Sequence, residues 1–229
     1  MTYILSIESA TEICSASLSK DGVVLSLRET NQPNVHSQKL ALMIQEILNE
    51  SQMQASDLDA VAVSSGPGSY TGLRIGVSLA KGLCFSLDIP LIAIPTLESM
   101  CYGIPKLEED IDFFIPMIDA GRMEVYTAAF DRNFHRFQNE HPLIVDSESF
   151  IDLLASKKLL FFGNGSAKCK DIILSKNAFF TSDGYPSAAS LAKVAFEYFQ
   201  QSKFVDTAYF EPFYLKEFQA KISKVKGLD

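Results

Sequence analysis

The chain has 229 residues, 47% of them hydrophobic, which is enough for one large domain or two lobes of about a hundred residues each. A net charge of −8 and a pI near 4.9 exclude a grip on nucleic acid through the overall field, because phosphate contacts need clustered Lys and Arg. The most apolar long stretch, 73–94, is broken by Arg74, Lys81 and Asp88 and does not read as a membrane span; Cys14, Cys84, Cys101 and Cys169 form no CxxC pair and read as free thiols of a cytoplasmic protein.

Residues 3–7 read as a buried strand with no basic leader before it, and 15–18 and 23–27 as a hairpin around Lys20-Asp21-Gly22. Between them lies Glu8-Ser9-Ala10-Thr11-Glu12, a polar turn whose hydroxyls could face a phosphate. Leu40, Met43, Ile44, Ile47 and Leu48 recur at helical spacing and predict an amphipathic helix over 36–51. A buried strand follows at 58–63. After it, Gly66-Pro67-Gly68 predicts a tight turn, and Ser69 or Thr71 caps the next helix. Such a strand, turn and helix N-terminus is a usual place for an anion or a partner's backbone. In that helix Gly72, Gly76, Ala80 and Cys84 recur every fourth residue, giving a face of almost no side-chain volume. That face packs either inside its own domain or against another subunit. Residues 91–94 supply the last strand of the first lobe.

The charged, proline-bounded segment 104–112 marks the boundary, dividing the chain into lobes 1–103 and 104–229, with the last segment packing back on the first lobe. The pattern then restarts: strand 113–118, the turn Asp119-Ala120-Gly121, and a hairpin partner at 124–130. A strand at 159–162 ends in Gly163-Asn164-Gly165, and 190–200 form a helix with Leu191, Val194, Ala195, Tyr198 and Phe199 inward. The recurrence suggests a duplicated βββαβα unit, a mixed α/β architecture with a cleft between lobes.

Familiar catalytic machinery is missing from the chain. With three histidines, His36, His135 and His141, it has no HExxH, no HxxxH, no GxSxG elbow and no GxxxxGK[ST] loop. The remaining candidates are carboxylates after strands: Glu8, Asp119 and Glu124. In two-lobed nucleotide-binding folds a carboxylate ending the first strand of each lobe can organise Mg²⁺ around phosphates. Glu8 reads equally as a turn cap, Asp119 with Arg122 as a structural ion pair, and Gly163 and Gly165 as either an adenosine-contacting turn or a plain strand end. The basic spots at 157–158, 168–170 and 216–226 read as solvated surface.

Five segments carry a resemblance: 4–11 (ILSIESAT), 36–38 (HSQ), 66–76 (GPGSYTGLRIG), 118–126 (IDAGRMEVY) and 211–216 (EPFYLK). In this order they resemble the bacterial TsaB family, also called YeaZ, over almost the whole chain. The resemblance implies a two-lobed actin-like, sugar-kinase-like ATPase fold of the ribonuclease H-like class. It also implies a non-catalytic part in making threonylcarbamoyladenosine beside the tRNA anticodon. The partners it implies are a paralogue, TsaD, which carries the HxxxH metal motif and is activated by this subunit, and an ATPase, TsaE, with tRNA reached only through the complex. No cofactor is held tightly; ATP or ADP with Mg²⁺ belongs at the joint with TsaD. Glu8, Ser9, Thr11, Asp119, Gly121, Gly163 and Gly165 are the nucleotide candidates, although the family has Asp where this chain has Glu8. His36, Leu40, Met43, Ile47, Gly72, Gly76, Ala80 and Cys84 are the candidate partner surface, used for TsaD or for a homodimer. The competing function is an autonomous actin-like ATPase or a glycoprotease-type peptidase.

Overall fold

The structure is a computed structural model that describes residues 1–32, 36–105 and 110–216, apart from the side chains of residues 36 and 37. The first lobe is built from β1 (Tyr3–Glu8), β2 (Cys14–Lys20), β3 (Val23–Thr30), α1 (His36–Glu50), β4 (Ala60–Ser64), α2 (Tyr70–Leu87) and β5 (Leu91–Ile94). After α3 (Thr96–Cys101), the second lobe repeats the plan with β6 (Phe113–Asp119), β7 (Glu124–Phe130), β8 (Arg136–Ile144), α4 (Ile151–Leu154), β9 (Leu159–Phe162) and β10 (Ala178–Phe180), and α5 (Ala188–Gln200) closes the series. The sheets run β3-β2-β1-β4-β5 and β10-β9-β6-β7-β8. In each, the opening three strands are antiparallel and the later two add parallel to the first. This is the duplicated two-lobed actin-like plan.

Alternation along β1 shows how the sequence fixes the layers. Leu5 and Ile7 point into a core with Leu40, Ile44, Ile47 and Val77 of α1 and α2, whereas Ile4 points to the other face, against Leu191, Val194 and Ala195 of α5. A boundary at 104 leaves α5 with the second lobe by sequence, but its apolar stripe covers the first sheet. In turn α3 puts Leu97, Met100 and Cys101 among Ile118, Phe130 and Phe162 of the second sheet. The two helices thus cross between lobes at the base of the cleft.

Most sequence-read elements stand within a residue or two of their expected bounds. Four elements have no counterpart in the sequence reading: α3, α4, β8 and β10. All six residues of α3 from Thr96 to Cys101 except Glu98 are buried, so no polar face marks its period. An edge strand with polar exposed positions, β8 carries Pro142 opposite Tyr126 and shows no clean alternation. The other two, α4 and β10, span four and three residues, too short for a periodic signal. No helix of the described residues is long and apolar enough to cross a membrane.

Candidate functional site

The glycine turn behaves as its composition requires. Gly66 and Pro67 are joined by a cis bond, and Gly66 sits at φ +110°, where a side chain would also strike the Phe213 carbonyl oxygen at 2.3 Å. Ser69 is the N-cap of α2, its hydroxyl accepting from the Gly72 amide at 3.2 Å, and its own amide donates to the Ala10 carbonyl at 2.6 Å. These bonds clamp the start of α2 to the turn after β1. Together the two segments form one wall of a cleft of about 690 Å³.

Thr11, Glu12, Ser69, Thr71 and Ile75 line that wall; Ile118, Asp119, Gly121, Tyr126 and Asn164 line the facing one. Of the nucleotide candidates, Thr11, Asp119 and Gly121 are therefore brought together across the cleft. Glu8 and Ser9 are not: both are fully buried behind Ala10, and neither lines the cleft. Gly163 and Gly165 do not line the cleft and are tightly packed. A Cβ on Gly163 would lie 2.6 Å from the Met117 carbonyl oxygen, and one on Gly165 3.0 Å from the Asp119 amide. The residue between them, Asn164, is the one that reaches the cleft, and its Oδ1 accepts from the Asp119 amide at 3.1 Å. Asp119 pairs with Lys168, not Arg122, and accepts from the Gly121 amide at 2.8 Å. Partial burial opposes ionisation, but Lys168 and Gly121 outweigh it and hold this carboxyl below its usual range.

Glu8 is the most perturbed group of the site. Burial pushes its carboxyl up to about 7, against the donors Ala10 N–H at 2.7 Å and Ser64 O–H at 2.8 Å on Oε1. Its Oε2 has no hydrogen-bond partner. A Mg²⁺–nucleotide held by this chain alone does not fit these residues. The first-lobe carboxylate is sealed away from the cleft and favours its neutral form, the second-lobe one is held by an ammonium, and no three His, Cys, Asp or Glu side chains gather among the described residues. A measurable consequence follows from burial. An acid whose folded pKa of about 7 lies above 4.5 in the unfolded chain stabilises less as pH rises through that window, by about 3 kcal/mol in all. Glu8→Gln, which keeps an acceptor for Ala10 and Ser64 but cannot ionise, is expected to melt above the wild type at pH 8 and to converge with it below about pH 4.5. Thermal melts across that range check this; parallel curves would contradict it.

Most of the candidate partner positions are turned inward. Leu40, Met43 and Ile47 of α1 and Gly72, Gly76, Ala80 and Cys84 of α2 are all buried against their own lobe. A Cβ on Gly72 would lie 2.1 Å from the Ser9 carbonyl oxygen and one on Gly76 2.2 Å from Ser9 Oγ. At Gly72 and Gly76 the low-volume face thus admits the turn after β1. The side chain of His36, the remaining candidate, lies outside the described residues.

The opposite faces of the two helices are exposed. They pack side by side, and α1 turns Ala41, Leu42, Gln45 and Asn49 outward while α2 turns out Ser78, Gly82 and Phe85. Leu42 is 56% exposed and Phe85 86%. Their spacing was a usable signal: 42, 45 and 49, and 78, 82 and 85, are helical stripes opposite the apolar ones.

The family model TsaD, tRNA N6-adenosine threonylcarbamoyltransferase, matches residues 24–224. The chain is 31% identical over 220 residues to the tRNA threonylcarbamoyladenosine biosynthesis protein TsaB of Escherichia coli, covering 93% of this chain and 94% of that one. It is 34% identical to the tRNA N6-adenosine threonylcarbamoyltransferase of Bacillus subtilis, over 48% of this chain and 36% of that protein. Among solved structures, an uncharacterised Pseudomonas aeruginosa protein described as similar to peptidase YEAZ superposes with a TM-score of 0.79 at 24% identity, covering 94% of this chain and 100% of that one.

Proposed function

The chain belongs to the family that the TsaD model describes, and within it to the TsaB proteins of tRNA threonylcarbamoyladenosine biosynthesis; from that premise we propose that it is a non-catalytic subunit that docks on and activates a TsaD-type paralogue. The single observation that carries this reading is the outward face of α1 and α2, where Leu42 and Phe85 stand exposed on the two helices. Leaving a phenylalanine in water forgoes about 2 kcal/mol of burial, so an 86%-exposed Phe85 on a regular helix suits a surface that is covered in use. A paralogue with related halves offers the same pair of helices, and two such pairs can close into a four-helix contact. A second copy of this chain could use that face as well, in competition with the paralogue.

The non-catalytic role rests on the composition of the cleft. Where the resemblance places HxxxH in the catalytic member, the residue four after His36 is Leu40, buried in the α1 core. The cleft carries a paired Asp119 while Glu8 is sealed behind its wall, so cation and nucleotide chemistry falls to residues of the partner subunits. The acidic balance of the chain likewise supports tRNA contact through those subunits. Mixing the purified chain with the paralogue tests the docking step. A discrete complex of the two on size-exclusion chromatography, with no ATP hydrolysis by this chain alone, is expected; turnover by the isolated chain would instead favour the autonomous ATPase.

A further inference from the structure

The segment after α5 is not absorbed by any role above. It leaves the first sheet at Val205, whose amide donates to the Leu91 carbonyl at 3.0 Å, extending the β5 edge. Lys81 of α2 then reaches across to donate to the carbonyls of Ala208 at 3.1 Å and Phe210 at 2.9 Å, and Phe210 packs on the α1/α2 core. The Phe213 amide donates to the Ser65 carbonyl at 2.7 Å, fitting against Gly66 so closely that no side chain is admitted there. Tyr214 packs on Tyr70 with ring centroids 4.8 Å apart and accepts from Arg74 Nε at 3.3 Å, while the Arg74 guanidinium lies 4.1 Å from the Tyr70 ring. To that point every anchor is on the first lobe. Lys216 then crosses to the second, where its ammonium pairs with the Glu124 carboxylate at the start of β7.

We propose that residues 205–216 are a clasp that sets the opening of the inter-lobe cleft, fixed to α2 and the glycine turn at one end and hooked to β7 through Lys216 and Glu124 at the other. The two ends of the cleft are held unequally. The base of the cleft is held by the crossing helices α3 and α5, which pack apolar faces into the sheets, whereas the hook is a single part-exposed ion pair. Such a pair is easily broken and reformed, so the clasp yields before the base does. Tyr126, which lines the cleft, lies within the electrostatic reach of both Lys216 and Glu124, placing the hook beside the cleft wall. Because α2 also carries Ser78, Gly82 and Phe85 outward, the clasp ties the exposed helix to the second lobe. The inference itself needs only the intramolecular contacts and stands apart from the docking assignment.

The test measures inter-lobe distance by pulsed electron resonance in the full-length chain, with spin labels at Ser56→Cys and Lys176→Cys, both exposed and on different lobes. Lys216→Glu and Glu124→Lys each put like charges at the hook. Each is expected to shift the distance distribution, with about a twofold to fivefold rise in the open population, the size that a part-exposed ion pair supports. The double variant Lys216→Glu/Glu124→Lys restores the opposite charges and is expected to return the wild-type distribution. Single variants that keep the wild-type distribution, or a double variant as open as the singles, would overturn the clasp.

Discussion

Phe85→Asp is expected to weaken binding of the paralogue by at least about 30-fold while leaving the fold of the free protein intact. A buried aromatic at the centre of a contact is worth about 2 kcal/mol or more, and each 1.4 kcal/mol is tenfold in affinity. Phe85 is the most exposed phenylalanine among the described residues, so its replacement removes little from the free lobe and everything it gives to a partner. The melting temperature should move by no more than about 2 °C, as for surface changes away from special features. Leu42→Glu, on the neighbouring helix, is expected to act in the same direction. Titration calorimetry beside thermal melts reads both quantities, and an unchanged affinity in both variants would place the docking surface elsewhere.

Gly72→Ala is expected to lower the melting temperature by about 5–10 °C. Two effects oppose each other: alanine favours the helix by about 1 kcal/mol, whereas forcing an atom into a filled contact costs about 1–3 kcal/mol and more when backbone is struck. Here the new carbon would lie 2.1 Å from the Ser9 carbonyl oxygen, so the turn after β1, the Ser69 cap and the cleft wall must all shift. Packing therefore wins. Gly82→Ala reverses the balance, since nothing lies within 4 Å of its added carbon, and the same helix should gain about 1 kcal/mol, or about 2–4 °C. Thermal melts of the two variants side by side check the sign of each. A Gly72→Ala protein that melts like wild type would contradict the close approach of α2 to the β1 turn.

That contrast also shows where the sequence was legible. The spacing of Gly72, Gly76, Ala80 and Cys84 correctly marks one close-packed face, because periodicity is a local property. What approaches that face is not local: Ser9 lies about sixty residues earlier and arrives through the parallel pairing of β1 with β4. The duplicated sheet order was readable from strand, acidic turn and strand in each half. The partner of Asp119 was not, since Lys168 sits 49 positions away on a short 3₁₀ turn with no pattern of its own. Glu8 was legible as the end of the first strand, but its seclusion comes from Ala10, Ser64 and the glycine turn closing over it. Elements with two buried faces or only three or four residues, such as α3 and β10, lack the polar–apolar alternation from which strands and helices are read.

The central claim is that this chain works by docking on a paralogue rather than by chemistry of its own. Its most direct test is threonylcarbamoyl transfer to unmodified tRNA by TsaD with TsaE and a supply of threonylcarbamoyl-adenylate, titrated with the wild-type chain and with Phe85→Asp. The account predicts that transfer requires the chain, saturates with the wild type, and needs at least about 30-fold more of the variant to reach the same rate. Full transfer without the chain, or equal titrations for the two proteins, would contradict it.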